Sequence, residues 1–314
     1  MSTLAQPTPL VDRPSYWNFV SENLSKSSSV LFDRTYAKSV LIDKDDFSRL
    51  HDTVFSIIRH SLVLNQKADP SQLDSAPKIL AMVDQTVSLQ LTKNLALYVE
   101  LEAAVTECLL KLGVLKGISG IEFPMNVRVA HGNPPPGYMQ REDATDYLHS
   151  DIWADEPKDI VNGLIYVDGD IDATYMELYD CPESHVKSIE SYTGAYKGGS
   201  KLAAGCPQID YSPQKSQLLL FDGVCPHQTV RKGGKTRVSV DFRIRRADPY
   251  QCIDSRWERE RVPWGKYWHL PQVKRTSFES RCEDELNHLL KSRNEAAYNA
   301  RKRWIVRLQA SSSI

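Results

Sequence analysis

Two histidines and one aspartate have the residue types and the spacing of a metal site. His149 and Asp151 stand two residues apart, so on a β-strand their side chains would point to the same side. His227 follows an apolar run that ends in the turn signal Asp222-Gly223, and a second strand would therefore present it. Two imidazoles and one carboxylate hold Fe(II) on one face and leave other positions open. The sequence thus predicts metal ligands at His149, Asp151 and His227, in preference to ordinary buried histidines.

An arginine and a serine on the next predicted strand can bind a carboxylate near that metal. Residues 236–243 alternate between polar and apolar, so Arg237, Ser239 and Arg243 share one strand face. A guanidinium binds a carboxylate through two parallel hydrogen bonds and keeps its charge when it is buried. Arg237 is therefore the first candidate for binding a carboxylate of a dicarboxylate cosubstrate, and the Ser239 hydroxyl could add a hydrogen bond to the same group. Arg231 and Arg243 are the alternatives.

Other side chains are candidates for the lining of a substrate pocket beside the metal. Trp153 would share the strand face of His149 and Asp151, although simple packing is the alternative role for it. Cys225 would share the face of His227, as a sulfur ligand or, in preference, as pocket lining. The strand registers decide which faces line the cavity. The further candidates are Tyr166, Asn126, Arg128 and Arg243, and Asn162 shares a strand face with Tyr166.

Short strands are the elements that would position these residues. Between residues 118 and 245, alternating segments are separated by Gly, Pro, Asn and Asp, a pattern typical of an all-β sandwich or barrel. The longer segment 180–213 is predicted to cover a bound substrate, because long loops in compact domains are often lids. The predicted strands cover residues 122–130, 146–152, 160–167, 173–179, 216–221, 228–230 and 236–245.

The chain is predicted to be a single domain built from four parts. Asp43 or Asp45 can cap a first helix, and a second helix is expected from about residue 85 to about residue 115. The four parts are a flexible lead-in without a secretory signal (1–42), a helical part (43–115), the β-rich core (118–245) and a C-terminal extension (247–314) with a helix over about 279–308.

The composition is typical of a soluble enzyme. The 314 residues are 41% hydrophobic and 25% charged, enough to bury one large core. A net charge of −1 provides no overall field for nucleic acid, and no apolar run of about 18 residues exists to span a membrane. The six cysteines show no C-x-x-C spacing, which favours reduced thiols in the cytoplasm. We expect a small-molecule partner and, in a homo-oligomer, contacts through the C-terminal helix.

The triad, followed by Arg237-x-Ser239 in a run of short strands, resembles a known superfamily. It is similar to the double-stranded β-helix (jelly-roll, cupin-like) core of the Fe(II)/2-oxoglutarate-dependent dioxygenases. Within that core, residues 149–159 and the dipeptide Gly169-Asp170 resemble the streptomycin-biosynthesis-type subgroup, which is found near aminoglycoside and surface-sugar genes. The helical N-terminal part and the C-terminal extension carry no such resemblance.

The resemblance implies a fold, a cofactor and a reaction. The fold would be mainly β, with a jelly-roll core flanked by N- and C-terminal helices. The triad would bind Fe(II), and 2-oxoglutarate would chelate the iron and place its far carboxylate on Arg237, with Ser239 beside it. With O2 as second cosubstrate, the implied reaction hydroxylates or otherwise oxidises a small polar metabolite of natural-product, sugar or amino-acid type. It converts 2-oxoglutarate to succinate and CO2.

Two other classes of protein remain open. One is a cupin-like metal enzyme that uses Zn or Mn without 2-oxoglutarate, as an isomerase or a hydrolase. The other is a catalytically silent module that binds a sugar or a protein on the same fold, although such a module has no need for both Asp151 and Arg237. Asp151 also disfavours halogenation, because halogenating members of the superfamily have a small residue at that position. Release of succinate with Fe(II) distinguishes the oxygenase from both alternatives.

Overall fold

The fold consists of antiparallel strands and helices. The structure is a computed structural model that describes residues 30–34, 37–92, 94–114, 118–122, 124–154, 160–246 and 267–269, together with residues 291, 292, 295, 298 and 299. The described strands are β1 (Val30–Arg34), β2 (Ala37–Leu41), β3 (Ile118–Glu122), β4 (Asn126–Ala130), β5 (Ile160–Gly169), β6 (Thr174–Leu178), β7 (Gln217–Asp222), β8 (His227–Arg231), β9 (Arg237–Arg246) and β10 (Tyr267–His269). The helices are α1 (Lys44–Gln66), α2 (Ala76–Asp84), α3 (Leu95–Lys111), α4 (Glu183–Ser191) and α5 (Tyr196–Ala203), with 3-10 turns at Pro70–Gln72, Tyr138–Gln140 and Asp151–Ala154.

The strands form one large sheet and one small sheet. The large sheet has the order β1-β2-β7-β5-β9-β3-β10, and β4 also pairs with β9. The small sheet consists of β6 and β8, and every pairing in both sheets is antiparallel. Leu164 and Leu219 of the large sheet share a buried cluster with Met176 and Leu178 of the small sheet. The two sheets therefore pack together, with part of the core between them.

Helices cover the opposite face of the large sheet. Side chains alternate along β5, so Val161 and Ile165 lie in a different buried cluster from Leu164. That second cluster contains Leu50 of α1 and Leu101 of α3. The alternation of β5 between two apolar environments explains why this strand reads as a nearly continuous hydrophobic run.

Most of the strands lie where the alternating pattern predicted them. The predictions over 160–167, 173–179, 216–221, 228–230 and 236–245 correspond to β5 to β9 within two residues at each end. The prediction over 146–152 was wrong. There His149 makes a single bridge to His227, and Asp151 begins a 3-10 turn.

The N-terminal part differs from the prediction in two places. Residues 30–34 and 37–41, expected as lead-in, form β1 and β2, and β2 extends the large sheet by pairing with β7. The single helix expected over 85–115 is replaced by a later helix, α3, because the Asn94 side chain accepts a hydrogen bond from the backbone N–H of Ala96 (3.1 Å) and fixes the start of the helix there. The first helix begins as expected, with the Asp43 carboxylate accepting from the N–H of Asp45 (2.9 Å).

The remaining predictions concern the 180–213 segment and the C-terminal extension. The segment contains α4 and α5 and is not an irregular loop. The helix expected over 279–308 lies largely outside the described residues. Among the helices that the structure describes, none has the length and apolar character needed to cross a membrane.

Candidate metal centre

Two backbone features bring the three predicted metal ligands together. His149 and His227 are paired through two backbone hydrogen bonds of 2.9 and 2.8 Å, which place their imidazoles side by side. The chain then turns, and the Ser150 hydroxyl anchors the turn by donating to the Gly223 carbonyl (2.8 Å). Asp151 thus reaches the histidines from a 3-10 turn and not from the strand that the sequence predicted.

The ligand atoms of His149, Asp151 and His227 all lie within 4.8 Å of one another, and all three residues are buried. The Nε2 atoms of His149 and His227 lie 3.7 and 3.5 Å from Oδ1 of Asp151. Two imidazoles and a carboxylate that face one point form the donor set that suits Fe(II), and a single metal ion can contact all three.

Hydrogen bonds set which nitrogen of each imidazole can bind a metal. Nδ1 of His149 lies 2.7 Å from the carbonyl of Tyr147, and Nδ1 of His227 lies 3.1 Å from the carbonyl of Cys225. Because a carbonyl only accepts, each Nδ1 carries the hydrogen and each Nε2 keeps its lone pair. Burial, and then the neighbouring His227 ring, lower the pKa of His149 to about 3, so its imidazole is neutral near neutral pH.

The Asp151 carboxylate is held by an arginine. Oδ2, the oxygen that does not face the imidazoles, accepts from Nη2 of Arg243 at 3.1 Å. Nη1 of the same guanidinium donates to both carboxylate oxygens of Glu122, at 3.1 and 3.2 Å. Burial alone would raise the pKa of Asp151, but Arg243 and then His227 outweigh it and hold that pKa well below its usual range.

A cavity of about 70 Å³ adjoins the three ligands. Of the predicted pocket residues, Asn126, Arg128 and Arg243 line it, and Tyr166 and Trp153 do not. The full lining is Asn126, Arg128, Thr145, His149, Asp151, Asn162, Gly163, Leu164, Met176, Tyr196, Phe221, His227, Thr229, Asp241, Phe242 and Arg243.

Trp153 packs away from this cavity. Its indole Nε1 donates to the carbonyl of Ile189 (2.9 Å), and its ring meets that of Tyr192 edge-on at 5.2 Å. A Cβ added to Gly199 of α5 would lie 2.4 Å from the indole, so the helix rests directly on it. The packing role that the sequence left open is the one the structure describes. Trp153 lies within the 3-10 turn and does not share a strand face with His149.

Cys225 does not join the metal group. Its buried thiol lies 3.1 Å from the carbonyl of Tyr179, and burial raises the pKa of the thiol well above its ordinary value. Cys225 belongs to the buried apolar cluster between the two sheets and is absent from the lining of the cavity, so neither of the roles predicted for it is found.

Three of the four candidate arginines are paired with carboxylates. Nε of Arg231 lies 2.9 Å from a carboxylate oxygen of Asp146, and its guanidinium also donates to a backbone carbonyl. Nε of Arg128 lies 2.6 Å from Asp241, and Arg243 is held as described above. Arg128 and Arg243 also form part of the cavity wall, whereas Arg231 does not line the cavity.

Arg237 is in a different situation. It is 1% exposed, and no hydrogen-bond partner for its Nε and Nη1 atoms lies among the described residues. Its guanidinium lies over the ring of Tyr166, 5.6 Å from the centroid, and burial lowers its pKa. It shares a face of β9 with Ser239, whose hydroxyl donates to Asp241 at 3.1 Å. Neither Arg237 nor Ser239 lines the cavity itself.

Two further residues belong to the centre: Tyr196 was missed from the sequence, and Asn162 was named there only through the strand face that it shares with Tyr166. Tyr196 of α5 stacks on His149, with ring centroids 4.0 Å apart and planes 24° apart. Asn162 of β5 is 4% exposed, lines the cavity, and has no hydrogen-bond partner for its side-chain amide in the described part of the chain. A polar residue within the apolar β5 run was the available signal for Asn162, whereas no local pattern marked Tyr196.

Neither a protein-family model nor a curated protein matches this sequence. Solved structures do match it. EctD from S. alaskensis, solved with 2-oxoglutarate and 5-hydroxyectoine, has a TM-score of 0.45 and 13% identity over 88% of this chain and 89% of its own. The non-heme alpha ketoglutarate dependent epimerase SnoN from nogalamycin biosynthesis has a TM-score of 0.34 and 12% identity over 74% and 84%.

A third match is an N-substituted L-amino acid dioxygenase from Burkholderia ambifaria in complex with alpha-KG. Its TM-score is 0.34, with 12% identity over 73% of this chain and 86% of its own. These names belong to the superfamily that the sequence motif resembles. At such low identities and TM-scores, the function proposed below rests on the residues of the site.

Proposed function

We propose that this chain is a non-haem Fe(II)/2-oxoglutarate-dependent oxygenase that oxidises a small polar metabolite. The observation that carries the proposal is the buried group of His149, Asp151 and His227, with both Nε2 atoms directed at one carboxylate oxygen. The residues fit Fe(II): neutral nitrogens and a carboxylate occupy one side, which leaves positions for cosubstrate and O2. Bound iron would supply the activation of O2 that is coupled to decarboxylation of 2-oxoglutarate.

The chain's own part begins with binding the cosubstrate. Arg237 is the proposed anchor for the far carboxylate of 2-oxoglutarate, since it is buried and two of its nitrogen atoms, Nε and Nη1, lack partners in the described structure. A buried donor without a partner is costly, and a carboxylate satisfies it through charge-assisted hydrogen bonds. Ser239, on the same face, is proposed as a second contact whose hydroxyl oxygen can accept or donate. Because the cavity stops short of Arg237, cosubstrate binding requires side chains between the two to move aside.

The lining of the cavity supports a small polar substrate. The lining combines polar groups, such as Asn126 and Arg128, with apolar side chains such as Phe221. We propose that α4 and α5 cover the substrate and exclude water, because Tyr196 already lies on a metal ligand.

The proposed fold is a jelly-roll in one domain, with the metal between the large and the small sheet. His227 begins β8 of the small sheet, whereas Arg237 and Arg243 lie on β9 of the large sheet. The predicted metal ligands lie on β8 and on the segment that bridges to it, whereas the arginines that hold Asp151 and are proposed to bind the cosubstrate lie on the large sheet. Cytoplasmic location and contacts between subunits through the C-terminal helix remain part of the proposal, and the free buried cysteines among the described residues support a reduced environment.

Reconstitution with Fe(II) tests the proposal. Metal-free protein is loaded under anaerobic conditions, and succinate is measured after O2 and 2-oxoglutarate are added, across amino acids, aminoglycosides and sugar nucleotides. We expect succinate only with Fe(II), and its loss in His227→Ala. Turnover of a substrate with Zn(II) or Mn(II) and no consumption of 2-oxoglutarate would instead favour the isomerase or hydrolase class. Full activity in His227→Ala would refute the metal site.

A further inference from the structure

A relay of three charged side chains ends at the metal site. Glu122, the last residue of β3, accepts two hydrogen bonds from Nη1 of Arg243, and Nη2 of the same guanidinium donates to Asp151. The side chain of Glu122 is 5% exposed, that of Arg243 is 18% exposed and that of Asp151 is 11% exposed. All three are thus largely withdrawn from water, where charge-assisted hydrogen bonds are strong and their geometry is well fixed.

The relay acts on one particular oxygen of Asp151. Oδ1 faces the Nε2 atoms of the two histidines, and Oδ2 is the atom that Arg243 binds. A carboxylate can rotate about its Cβ–Cγ bond and can offer one oxygen or both to a metal. Because the guanidinium holds Oδ2, Asp151 is directed to present Oδ1 alone, already aimed between the imidazoles.

Glu122 has a second effect, on charge. A lone guanidinium beside a dication would repel it and weaken its binding. The bidentate contact from Glu122 offsets the charge of Arg243 while it also fixes the plane of the guanidinium. Lysine is not equivalent at position 243, since a point charge cannot bridge two carboxylates in a fixed plane.

We propose that Arg243 and Glu122 are positioning residues that preorganise Asp151 as a monodentate metal ligand. The inference rests on the proposed function only in that the triad binds a divalent metal. It assigns Arg243 to the metal side of the site and not to the contacts with substrate that its sequence position suggested. The pairing of β3 with β9, which sets Ile121 opposite Ile244, holds Glu122 and Arg243 on neighbouring strands.

Metal binding by the full-length protein tests the relay without any substrate. Co(II) is titrated into metal-free protein, and the affinity and the visible absorption of the bound ion are measured for wild type, Arg243→Met and Glu122→Gln. We expect both variants to bind Co(II) about 10- to 100-fold more weakly, as the loss of groups that orient metal ligands does elsewhere. We also expect a changed Co(II) spectrum, because Asp151 is then free to offer both oxygens. Arg243→Lys should not restore wild-type affinity.

Arg128→Met is the matched control. It removes a second arginine of the same cavity wall, paired with Asp241 at 2.6 Å, that does not contact a metal ligand in the described structure. Its Co(II) affinity should stay within about threefold of wild type, a change of under 1 kcal/mol. Thermal unfolding of each metal-free variant identifies any protein that fails to fold. If Arg243→Met fails to fold, Glu122→Gln, which keeps the shape of the side chain, still tests the relay.

The outcomes separate the relay from the proposed function. Wild type that does not bind Co(II) removes the metal site and the relay with it. Folded Arg243→Met and Glu122→Gln that match wild type in affinity and spectrum overturn the relay and leave the metal site intact. An equal loss in Arg128→Met overturns it too, since the effect would then belong to the cavity wall as a whole.

Discussion

Replacement of Arg237 by methionine should weaken 2-oxoglutarate binding severely while it stabilises the ligand-free protein. The residue is 1% exposed, and its Nε and Nη1 atoms have no hydrogen-bond partner among the described residues. Loss of one buried charge-assisted pair costs about 2–5 kcal/mol, which corresponds to roughly 30- to 4,000-fold in affinity. Without a ligand, the same buried cation carries a desolvation penalty, so its removal should raise the melting temperature of the ligand-free protein.

Calorimetric titration of 2-oxoglutarate into Zn(II)-loaded protein, in the absence of O2, measures this loss. Arg231→Met is the control, because Arg231 is paired with Asp146. It should lower the melting temperature and leave 2-oxoglutarate affinity within a few-fold of wild type. Unchanged affinity in folded Arg237→Met would refute the assignment, most directly if Arg128→Met or Arg243→Met lost binding instead. A lower melting temperature for Arg237→Met would show that the guanidinium has a structural partner.

Three further predictions concern the cavity and the stability of the fold. Addition of Zn(II) and 2-oxoglutarate should slow amide hydrogen exchange in α4 and α5. In Tyr196→Ala this protection should be severalfold smaller, because a stacked ring pair contributes about 0.5–1.5 kcal/mol. Equal exchange with and without the two ligands would argue against α4 and α5 as a cover over the site. Asn162→Leu should raise the melting temperature of the ligand-free protein, because an unpaired buried amide costs about 1–3 kcal/mol. The same variant should form less succinate, and unchanged turnover would show that Asn162 does not contact a ligand. Burial alone would raise the pKa of Asp168, but hydrogen bonds from His51 and Lys215 outweigh it and lower that pKa well below 3.8. The ionised carboxylate therefore stabilises the folded protein above about pH 4, and this stabilisation is lost as the pH falls further. Asp168→Asn should flatten that acid loss in urea unfolding at pH 5 and pH 3, and an unchanged pH dependence contradicts this.

Strands β5 to β9 could be predicted because the pattern of polar and apolar residues along each strand reflects what its two faces contact. On β9 the polar side chains of Arg237 and Ser239 face the space between the sheets, while Val238 and Val240 face the helices. A strand whose faces meet one polar and one apolar environment alternates between polar and apolar residues, as β9 does, whereas a strand with two apolar faces reads as a hydrophobic run, as β5 does. Residues 146–152 were also predicted as a strand, yet they do not form one. Their conformation depends on Ser150 reaching the carbonyl of Gly223, a contact distant in sequence that no local pattern encodes.

The metal ligands could be predicted although part of the supporting structure was not. Coordination restricts the residue types so strongly that His149, Asp151 and His227 stand out by chemistry alone. Tyr196 and Asn162 are not restricted in this way, since many residue types can stack on a ring or line a cavity. Their roles follow from tertiary contacts: α5 packs over the centre, and Asn162 lies opposite Arg243 on the neighbouring strand.

The charges around the proposed centre cancel once the metal and cosubstrate are bound. Asp151 and Glu122 contribute two negative charges, Arg243 and Arg237 contribute two positive ones, and Fe(II) balances the 2-oxoglutarate dianion. The imidazoles are neutral in a metal complex, and Arg128 and Asp241 neutralise each other within the wall. An uncompensated charge in a buried site is costly, so a neutral loaded centre is the arrangement that such a cavity can hold. The same balance leaves no net charge for the substrate to neutralise, which favours an uncharged, hydrogen-bonding group beside the metal, within reach of the unpartnered amide of Asn162.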